Sequence, residues 1–109
     1  MKPTGQEFER AARDLNADRA HLRLFVAGMA PRSTQAVADA KRLRARYRCC
    51  IEIIDIYKQP SSASSEQIIA VPTLARAHPP QRRVIGTIQD IDRVALVLGL
   101  KLAQRMSDE

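Results

Sequence analysis

A proline inside an otherwise apolar stretch, residues 69–74 (IAVPTL), constrains the fold of this chain more than any other feature. Proline has no backbone N–H to donate, so Pro72 is tolerated only at the start or the edge of a strand. The stretch therefore predicts a strand that begins at a constrained turn. A cis peptide bond fits such a turn, because the bond before proline is the one in which the cis form costs little.

Thioredoxin-like domains place a Val-Pro-Thr of this kind beside a reactive Cys-x-x-Cys pair. The corresponding place in this chain follows the first predicted strand, at residues 27–33 (AGMAPRS), and it contains no cysteine. The scaffold is thus similar to that of a redox protein, but the residues that redox chemistry needs are missing from it. This combination favours a binding module over an enzyme.

Length and composition are those of one globular domain. The 109 residues suffice for a single core, and the 4% aromatic content means that aliphatic side chains build most of it. No apolar run reaches the ~18 residues of a transmembrane helix, and residues 1–5 open no secretory signal. We therefore expect a cytoplasmic protein without a membrane segment.

The two cysteines, Cys49 and Cys50, are adjacent. Neighbours on a strand point to opposite faces, so we expect two thiols rather than a disulfide, with at least one of them buried. The two histidines, His21 and His78, have no ligand-like spacing to the cysteines or to each other. We predict no metal site and no cofactor.

The net charge of +6 arises entirely after residue 20, because residues 1–20 hold four charges of each sign. Its densest cluster consists of Arg32, Lys41, Arg42, Arg44, Arg46 and Arg48, and a smaller one of Arg76, Arg82 and Arg83. Such patches attract nucleic acid or an acidic protein surface. The alternative is a solvated helix face that keeps the protein in solution.

Hydrophobic periodicity predicts the first half of the chain as helix, strand, helix, strand. An amphipathic helix over residues 6–19 forms an appendage, and a strand follows over 21–27. A helix then opens at Pro31 with Ser33 as a cap, and it presents the basic cluster to solvent. The apolar run at residues 49–57 predicts a central strand of the sheet.

The second half is predicted as helix, strand, strand, helix. A short helix covers residues 62–69, and strands over 71–77 and 82–85 form an antiparallel hairpin. Asp90 caps the last helix, in which Gly99 is a weak point. The buried stripe of this helix is formed by Ile91, Val94, Ala95, Leu98 and Leu102. The predicted class is α/β in the order β-α-β-α-β-β-α, in a domain over residues 21–104, with an N-terminal appendage (1–20) and a short tail (105–109).

With these residues in place, the chain resembles the KaiB family, the small partner proteins of the KaiC ATPase. The resemblance runs from about Leu22 to Leu98. It depends on four segments in order: residues 24–28 (LFVAG) followed by Pro31 and Ser33, then 54–60 (IDIYKQP), 68–75 (IIAVPTLA) and 82–86 (RRVIG).

The resemblance implies a non-catalytic adaptor that docks on a KaiC-like ATPase and modulates its phosphorylation and ATPase cycle in a circadian or stress-related timing system. Docking residues, by correspondence to family positions, are Lys58, Gln67, Arg76, Arg82 and Arg83, and structural residues are Gly28, Pro72 and Gly86. The family adopts two folds, a thioredoxin-like state and a tetramer-forming ground state of order β-α-β-β-α-α-β. Our interpretation favours the thioredoxin-like order, and a homo-oligomer (dimer or tetramer) stays open.

Departures from the family pattern affect which class of partner we expect. Residues 29–30 (MA) replace the usual Asn-Thr, residues 86–89 (GTIQ) replace Gly-Asp-Leu-Ser, and the leader is additional. We expect a member outside the cyanobacteria, paired with a KaiC-like ATPase or a histidine kinase. A sensor-like module for a histidine kinase is the alternative, since the N-terminal domain of the clock kinase SasA has a related fold.

Two further classes rank lower. A redox enzyme needs a thiolate near Pro72, whereas the only thiols lie in the second strand. Nucleic-acid binding is supported by the basic charge, but stacking aromatic residues are scarce. Those present are Phe8, Phe25, Tyr47 and Tyr57.

Overall fold

The computed structural model describes residues 19–103. Seven elements follow one another: β1 (Ala20–Val26), α1 (Pro31–Arg46), β2 (Cys49–Asp55), α2 (Pro60–Ser65), β3 (Thr73–Arg76), β4 (Arg83–Ile85) and α3 (Ile91–Leu98). The predicted order is confirmed, rather than the ground-state alternative. The helix predicted over residues 6–19, apart from its last residue, and the tail over 105–109 lie outside the described residues.

The four strands form one mixed sheet in the order β2-β1-β3-β4. β1 and β2 are parallel, with Ala20 opposite Cys49 and Val26 opposite Asp55. β3 pairs antiparallel with both β1 and β4. The predicted parallel first pair and the final antiparallel hairpin are therefore confirmed.

The prediction that residues 49–57 form a central strand is wrong, because β2 lies at the edge of the sheet and β1 lies inside it. Ile54 is buried on one face of β2 and Cys49 on the other, while Ile53 and Glu52 are exposed. The apolar run of β2 thus reflects two faces that are both partly covered. It carries no information on whether a strand has one neighbour or two.

The sheet separates two apolar layers. On one face, α1 and α3 pack on β1 through the larger cluster, which includes Leu22, Leu24, Leu43, Leu74 and Leu98. On the other face, the chain from α2 to Val71 covers a smaller cluster of Phe25, Ile54 and Ala75. Cover on both faces of the sheet explains why β1 is apolar at five of its seven positions, the exceptions being His21 and Arg23.

The first helix, α1, opens with Pro31 in its first turn, where the missing N–H has no intrahelical acceptor in any case. Ser33 is not the cap that its sequence position suggested. The N-cap residue is Ala30, and the buried Ser33 hydroxyl instead accepts a hydrogen bond from the Ala27 N–H at 2.9 Å. The basic residues of the helix are exposed, as predicted; these are Arg32, Lys41, Arg42, Arg44 and Arg46.

The last helix, α3, is capped as predicted, since the Asp90 carboxylate accepts from the Arg93 N–H at 3.2 Å. The helix ends four residues earlier than predicted. Gly99 is its C-cap in the left-handed region (φ 71°), where glycine costs little. Leu102 is therefore not part of the buried stripe, and it is exposed in an isolated bridge to Tyr47.

The remaining elements are shorter than predicted or shifted. α2 covers Pro60–Ser65 rather than residues 62–69, because Gln67 adopts a positive φ that ends the helical path. β3 and β4 have four and three residues. Within residues 19–103, no helix is long and apolar enough to cross a membrane.

Candidate functional site

All four strands begin or end near Pro72, at one end of the sheet. β1 and β2 end there at Val26 and Asp55, and β3 begins there opposite β1. Four connecting segments meet at this edge, residues 27–30, 56–59, 67–72 and 86–89. We call these segments the proline edge.

The turn before β3 is built as the sequence indicated. The Val71–Pro72 bond is cis, and Pro72 is buried. The Thr73 hydroxyl donates to the Ala70 carbonyl at 2.6 Å, and the Gly86 N–H donates to the Pro72 carbonyl at 2.8 Å. These bonds tie the segment before β3 to the segment after β4 and fix the proline edge in place.

Asp55 anchors the loop after β1, where redox proteins carry their dithiol. Its Oδ1 accepts from the Gly28 N–H at 3.1 Å and from the Tyr57 N–H at 2.9 Å. Gly28 has φ 56°, and an added Cβ would lie 3.2 Å from the Tyr57 ring. A larger residue at position 28 would be strained by its backbone and would displace this ring.

Neither cysteine is near this edge. Cys49 and Cys50 are free thiols at the far end of β2, six and five residue positions from Asp55 and thus about 17–20 Å away along the strand. Burial, with a smaller contribution from Cys50, raises the pKa of the Cys49 thiol to about 11. A thiol that stays protonated near neutral pH is a poor nucleophile. The expectation of two thiols, one of them buried, is confirmed.

A cleft of about 350 Å³ opens beside Pro72, between α1 and the segment that leads into α3. Asp39 of α1 is buried in its wall, where its Oδ1 accepts from Gln35 Nε2 and Arg42 Nη1, both at 3.1 Å. Oδ2 has no hydrogen-bond partner among the described residues. Arg42 also donates to the Gln89 carbonyl at 3.3 Å, so this pair links α1 to the proline edge.

Three large apolar side chains are exposed at the proline edge. Met29 is 89% exposed, Tyr57 74% and Ile69 90%, and each comes from a different segment. Large apolar side chains grouped on the surface are typical of sites at which another protein docks. The arrangement offers contact area rather than reacting groups.

The predicted docking residues do not form one surface. Lys58 is exposed in the turn after β2, and Gln67 is exposed in the segment before Pro72. Arg83 reaches the same segment, since it donates to the Gln67 carbonyl at 3.1 Å and to the Glu66 carbonyl. These three residues belong to the side of the sheet covered by α2.

Arg76 and Arg82 lie on the other side, at the end of α3. Arg76 Nη1 donates to the Leu98 carbonyl at 2.7 Å, and Arg82 Nη1 donates to the Val97 carbonyl at 3.2 Å. Cations that bond the last carbonyls of a helix are stabilising there. Both arginines therefore have a structural use within the chain, whatever they contact outside it.

Sequence reasoning missed the exposed apolar residues and the buried carboxylate. Met29 and Ile69 lie in loops, where hydrophobic periodicity gives no signal. Asp39 did carry one, because it falls inside the apolar face that Ala36, Ala40 and Leu43 define. A charged residue at a core position of a helix is unusual unless it has a partner.

The sequence of residues 23–100 matches the KaiB domain. The chain belongs to the KaiB family. It is 37% identical over 92 residues to the "Circadian clock oscillator protein KaiB" of a Synechococcus species. The aligned region covers 81% of this chain and 83% of that protein. It is also 34% identical over 96 residues to the "Circadian clock protein KaiB3" of a Synechocystis species, covering 79% and 88%. The predicted resemblance is confirmed.

Solved structures confirm the thioredoxin-like fold of this KaiB-family chain. The N-terminal domain of Synechococcus elongatus SasA superposes with a TM-score of 0.60 at 21% identity, covering 75% of this chain and 85% of that domain. A Plasmodium falciparum thioredoxin superposes with a TM-score of 0.64 at 16% identity, covering 94% and 87%. At these identities the likeness concerns the fold alone.

Proposed function

We propose that this chain is a non-catalytic adaptor of a circadian or stress-related timing system. It docks on a KaiC-like ATPase through the proline edge and modulates the phosphorylation and ATPase cycle of that partner. The observation that carries the proposal is the exposure of Met29, Tyr57 and Ile69, in three of the segments that form the edge where redox relatives of this fold hold their thiols. Membership of a family whose named relatives are circadian clock proteins supports it.

Two features favour docking over thiol chemistry. The thiols lie about 17–20 Å from Asp55 along β2, at the end of the sheet away from the proline edge, and the buried one has a raised pKa. Two features also disfavour nucleic-acid binding through base stacking. Phe25 is fully buried, and the Tyr47 hydroxyl donates to Asp92 at 2.6 Å, which leaves Tyr57 as the exposed aromatic residue of the described chain.

The test is complex formation with the KaiC-like ATPase encoded in the same genome. The full chain and the ATPase are mixed with ATP or with ADP, and comigration is followed by size-exclusion chromatography. We expect comigration in at least one nucleotide state. Absence of a complex in every state would reject the proposal.

A pair of variants locates the surface. Ile69→Glu places a charge in the proline edge, and Leu96→Glu places one on α3 at a residue that is 79% exposed. We expect Ile69→Glu to weaken binding at least tenfold, as charges in the core of an interface do, and Leu96→Glu to leave it unchanged. Equal effects of the two variants would remove the proline edge from the proposal while leaving complex formation itself intact.

A further inference from the structure

The cleft beside Pro72 contains a buried carboxylate, and we call it the Asp39 cleft. One wall combines Pro72 with residues 87–89, which belong to the proline edge. The cleft is therefore continuous with the surface that we propose docks on the ATPase. The other wall is a single face of α1, at the helical spacing i, i+3, i+4 and i+7, and it is formed by Arg32, Gln35, Ala36 and Asp39.

The Asp39 carboxylate uses only one of its two oxygens. The side chain is 2% exposed, and both donors that reach it, Gln35 Nε2 and Arg42 Nη1, bond Oδ1. Oδ2 has no partner among the described residues. Buried polar atoms are nearly always paired, because an unpaired one has given up its bonds to water without replacement. The free oxygen thus marks the Asp39 cleft as a place where a hydrogen-bond donor binds.

The charges in and around the cleft favour an uncharged donor. Arg42 already offsets the charge of Asp39, since its Nη1 lies 3.1 Å from Oδ1. The same nitrogen donates to the Gln89 carbonyl at 3.3 Å, which holds the guanidinium in place. The exposed Arg32 adds a second positive charge to the cleft wall. A lysine or arginine side chain entering the cleft would therefore bring a charge that no carboxylate is left to offset.

The neighbouring Gln35 restricts the shape of the group that fits. Its Nε2 carries two hydrogens and gives one to Asp39 Oδ1 at 3.1 Å, which leaves the other for a ligand. The cleft thus presents an acceptor and a donor from residues one helical turn apart. A primary carboxamide, the group of asparagine and glutamine side chains, has an N–H and a C=O on the same edge and matches both. A trans peptide bond points the two in opposite directions and matches only one.

We propose that the Asp39 cleft binds the carboxamide side chain of an asparagine or glutamine of the KaiC-like ATPase. The amide N–H donates to Asp39 Oδ2, and the amide oxygen accepts from Gln35 Nε2. The methylene groups of that side chain lie against Ala36, Pro72 and Ile88. This inference rests on the proposed docking at the proline edge, to which it adds a polar site that selects the partner.

The test compares the dissociation constant for the ATPase between the wild type and two variants of the full chain. Asp39→Asn keeps one acceptor oxygen for Gln35 and Arg42 but replaces Oδ2 by an NH₂ group, a donor that faces the donor of the ligand. We expect it to bind about tenfold more weakly or worse. Asp92→Asn is the matched control, because it also breaks an ion pair with an arginine, Arg46 at 3.4 Å, outside the cleft. It should bind like the wild type.

The outcomes separate this inference from the proposed function. Unchanged binding by Asp39→Asn overturns the inference and leaves docking intact, whereas absence of any wild-type complex rejects both. Circular dichroism checks that each variant is folded. If Asp39→Asn does not fold, Gln35→Met replaces it, since this exposed residue supplies the second contact. We expect Gln35→Met to bind about fivefold more weakly, and unchanged binding would then overturn the inference.

Double-mutant cycles identify the group that enters the cleft. Each surface asparagine, glutamine, lysine and arginine of the ATPase is replaced by alanine and measured against the wild type and against Asp39→Asn. We expect one asparagine or glutamine whose replacement weakens wild-type binding about tenfold and has little further effect on Asp39→Asn. Coupling to a lysine or arginine would show that the cleft takes a cation and would contradict the proposal. Coupling to no residue would mean that Asp39 acts only through the fold of α1, which contradicts it as well.

Discussion

At the scale of single residues, the surroundings of Cys49 decide what its thiol can do. The side chain lies in the larger apolar cluster, and burial raises its pKa from the ordinary value of 9.0 to about 11. The protonated thiol acts there as a small apolar group. The sequence places both cysteines away from the residues that follow β1, so the absence of a thiol from residues 27–33 was predictable.

The raised pKa of Cys49 predicts a specific dependence of stability on pH. Between pH 9 and pH 11 the unfolded thiol loses its proton while the folded one keeps it, so the folded state binds more protons and stability falls as the pH rises. The loss amounts to at most about 3 kcal/mol. We expect urea unfolding of the wild type to lose more stability over this range than that of Cys49→Ala. A Cys50→Ala variant serves as the control and should keep most of the wild-type dependence, because burial is the larger cause of the shift. Identical pH profiles for the wild type and Cys49→Ala would contradict this explanation.

Residue-scale features that depend on long-range contacts could not be predicted. The burial of Asp39 depends on Arg42 and Gln35, which both donate to its Oδ1 in the folded helix. The exposure of Met29 and Ile69 depends on how the four connecting segments meet at the proline edge. Conversely, the position of Pro72 at a strand start followed directly from its missing N–H.

At the scale of secondary structure elements, α3 shows how one helix divides its residues between core and surface. Leu98 is fully buried, and Leu96, two positions earlier, is 79% exposed. The helical period of 3.6 residues places them on different faces. This division was predictable from the apolar spacing, and it also identifies a matched pair of leucines.

Truncating these two leucines should give very different results. Leu98→Ala leaves a cavity in the larger apolar cluster and should lower the free energy of unfolding by about 2–5 kcal/mol. Leu96→Ala should change it by no more than about 0.5 kcal/mol. Chemical denaturation measured by circular dichroism tests both. Similar losses for the two variants would mean that the exposed face of α3 is covered in solution.

The end of α3 yields a prediction about Gly99. An added Cβ has room, since the nearest atom would be Arg76 Nη1 at 3.8 Å, so any cost must come from the left-handed backbone. We expect Gly99→Ala to destabilise the protein by about 1 kcal/mol and Gly99→Asn by less, because asparagine tolerates this conformation. Thermal unfolding distinguishes the two; a neutral Gly99→Ala would place residue 99 inside a longer helix, as its sequence position first suggested.

Element boundaries and neighbours were the least predictable features at this scale. The apolar run of β2 suggested a central strand, but helices on both faces produce the same pattern in an edge strand. The last helix seemed to continue through Gly99 because Leu102 falls on its stripe. Local pattern describes which faces are covered, whereas sheet order is set by pairing across the whole chain.

At the scale of the whole molecule, the sheet carries different surfaces at its two ends. The proline edge presents Met29, Tyr57 and Ile69, and the opposite end presents the exposed cations Arg19 and Lys101. The order of elements and the family followed from segments spread over the chain, each weak alone and consistent together. The separation of the predicted docking residues over two sides of the sheet did not follow, because it depends on which face each strand residue points to.

Under the proposed function, the proline edge acts through contact and not through thiols. The most direct measurement is the dissociation constant for the KaiC-like ATPase, compared between the wild type, the thiol-free variant Cys49→Ala/Cys50→Ala and the edge variant Met29→Glu. We predict that the thiol-free protein binds within about twofold of the wild type and that Met29→Glu binds at least tenfold more weakly. Loss of binding in the thiol-free protein, with full binding by Met29→Glu, would contradict the account.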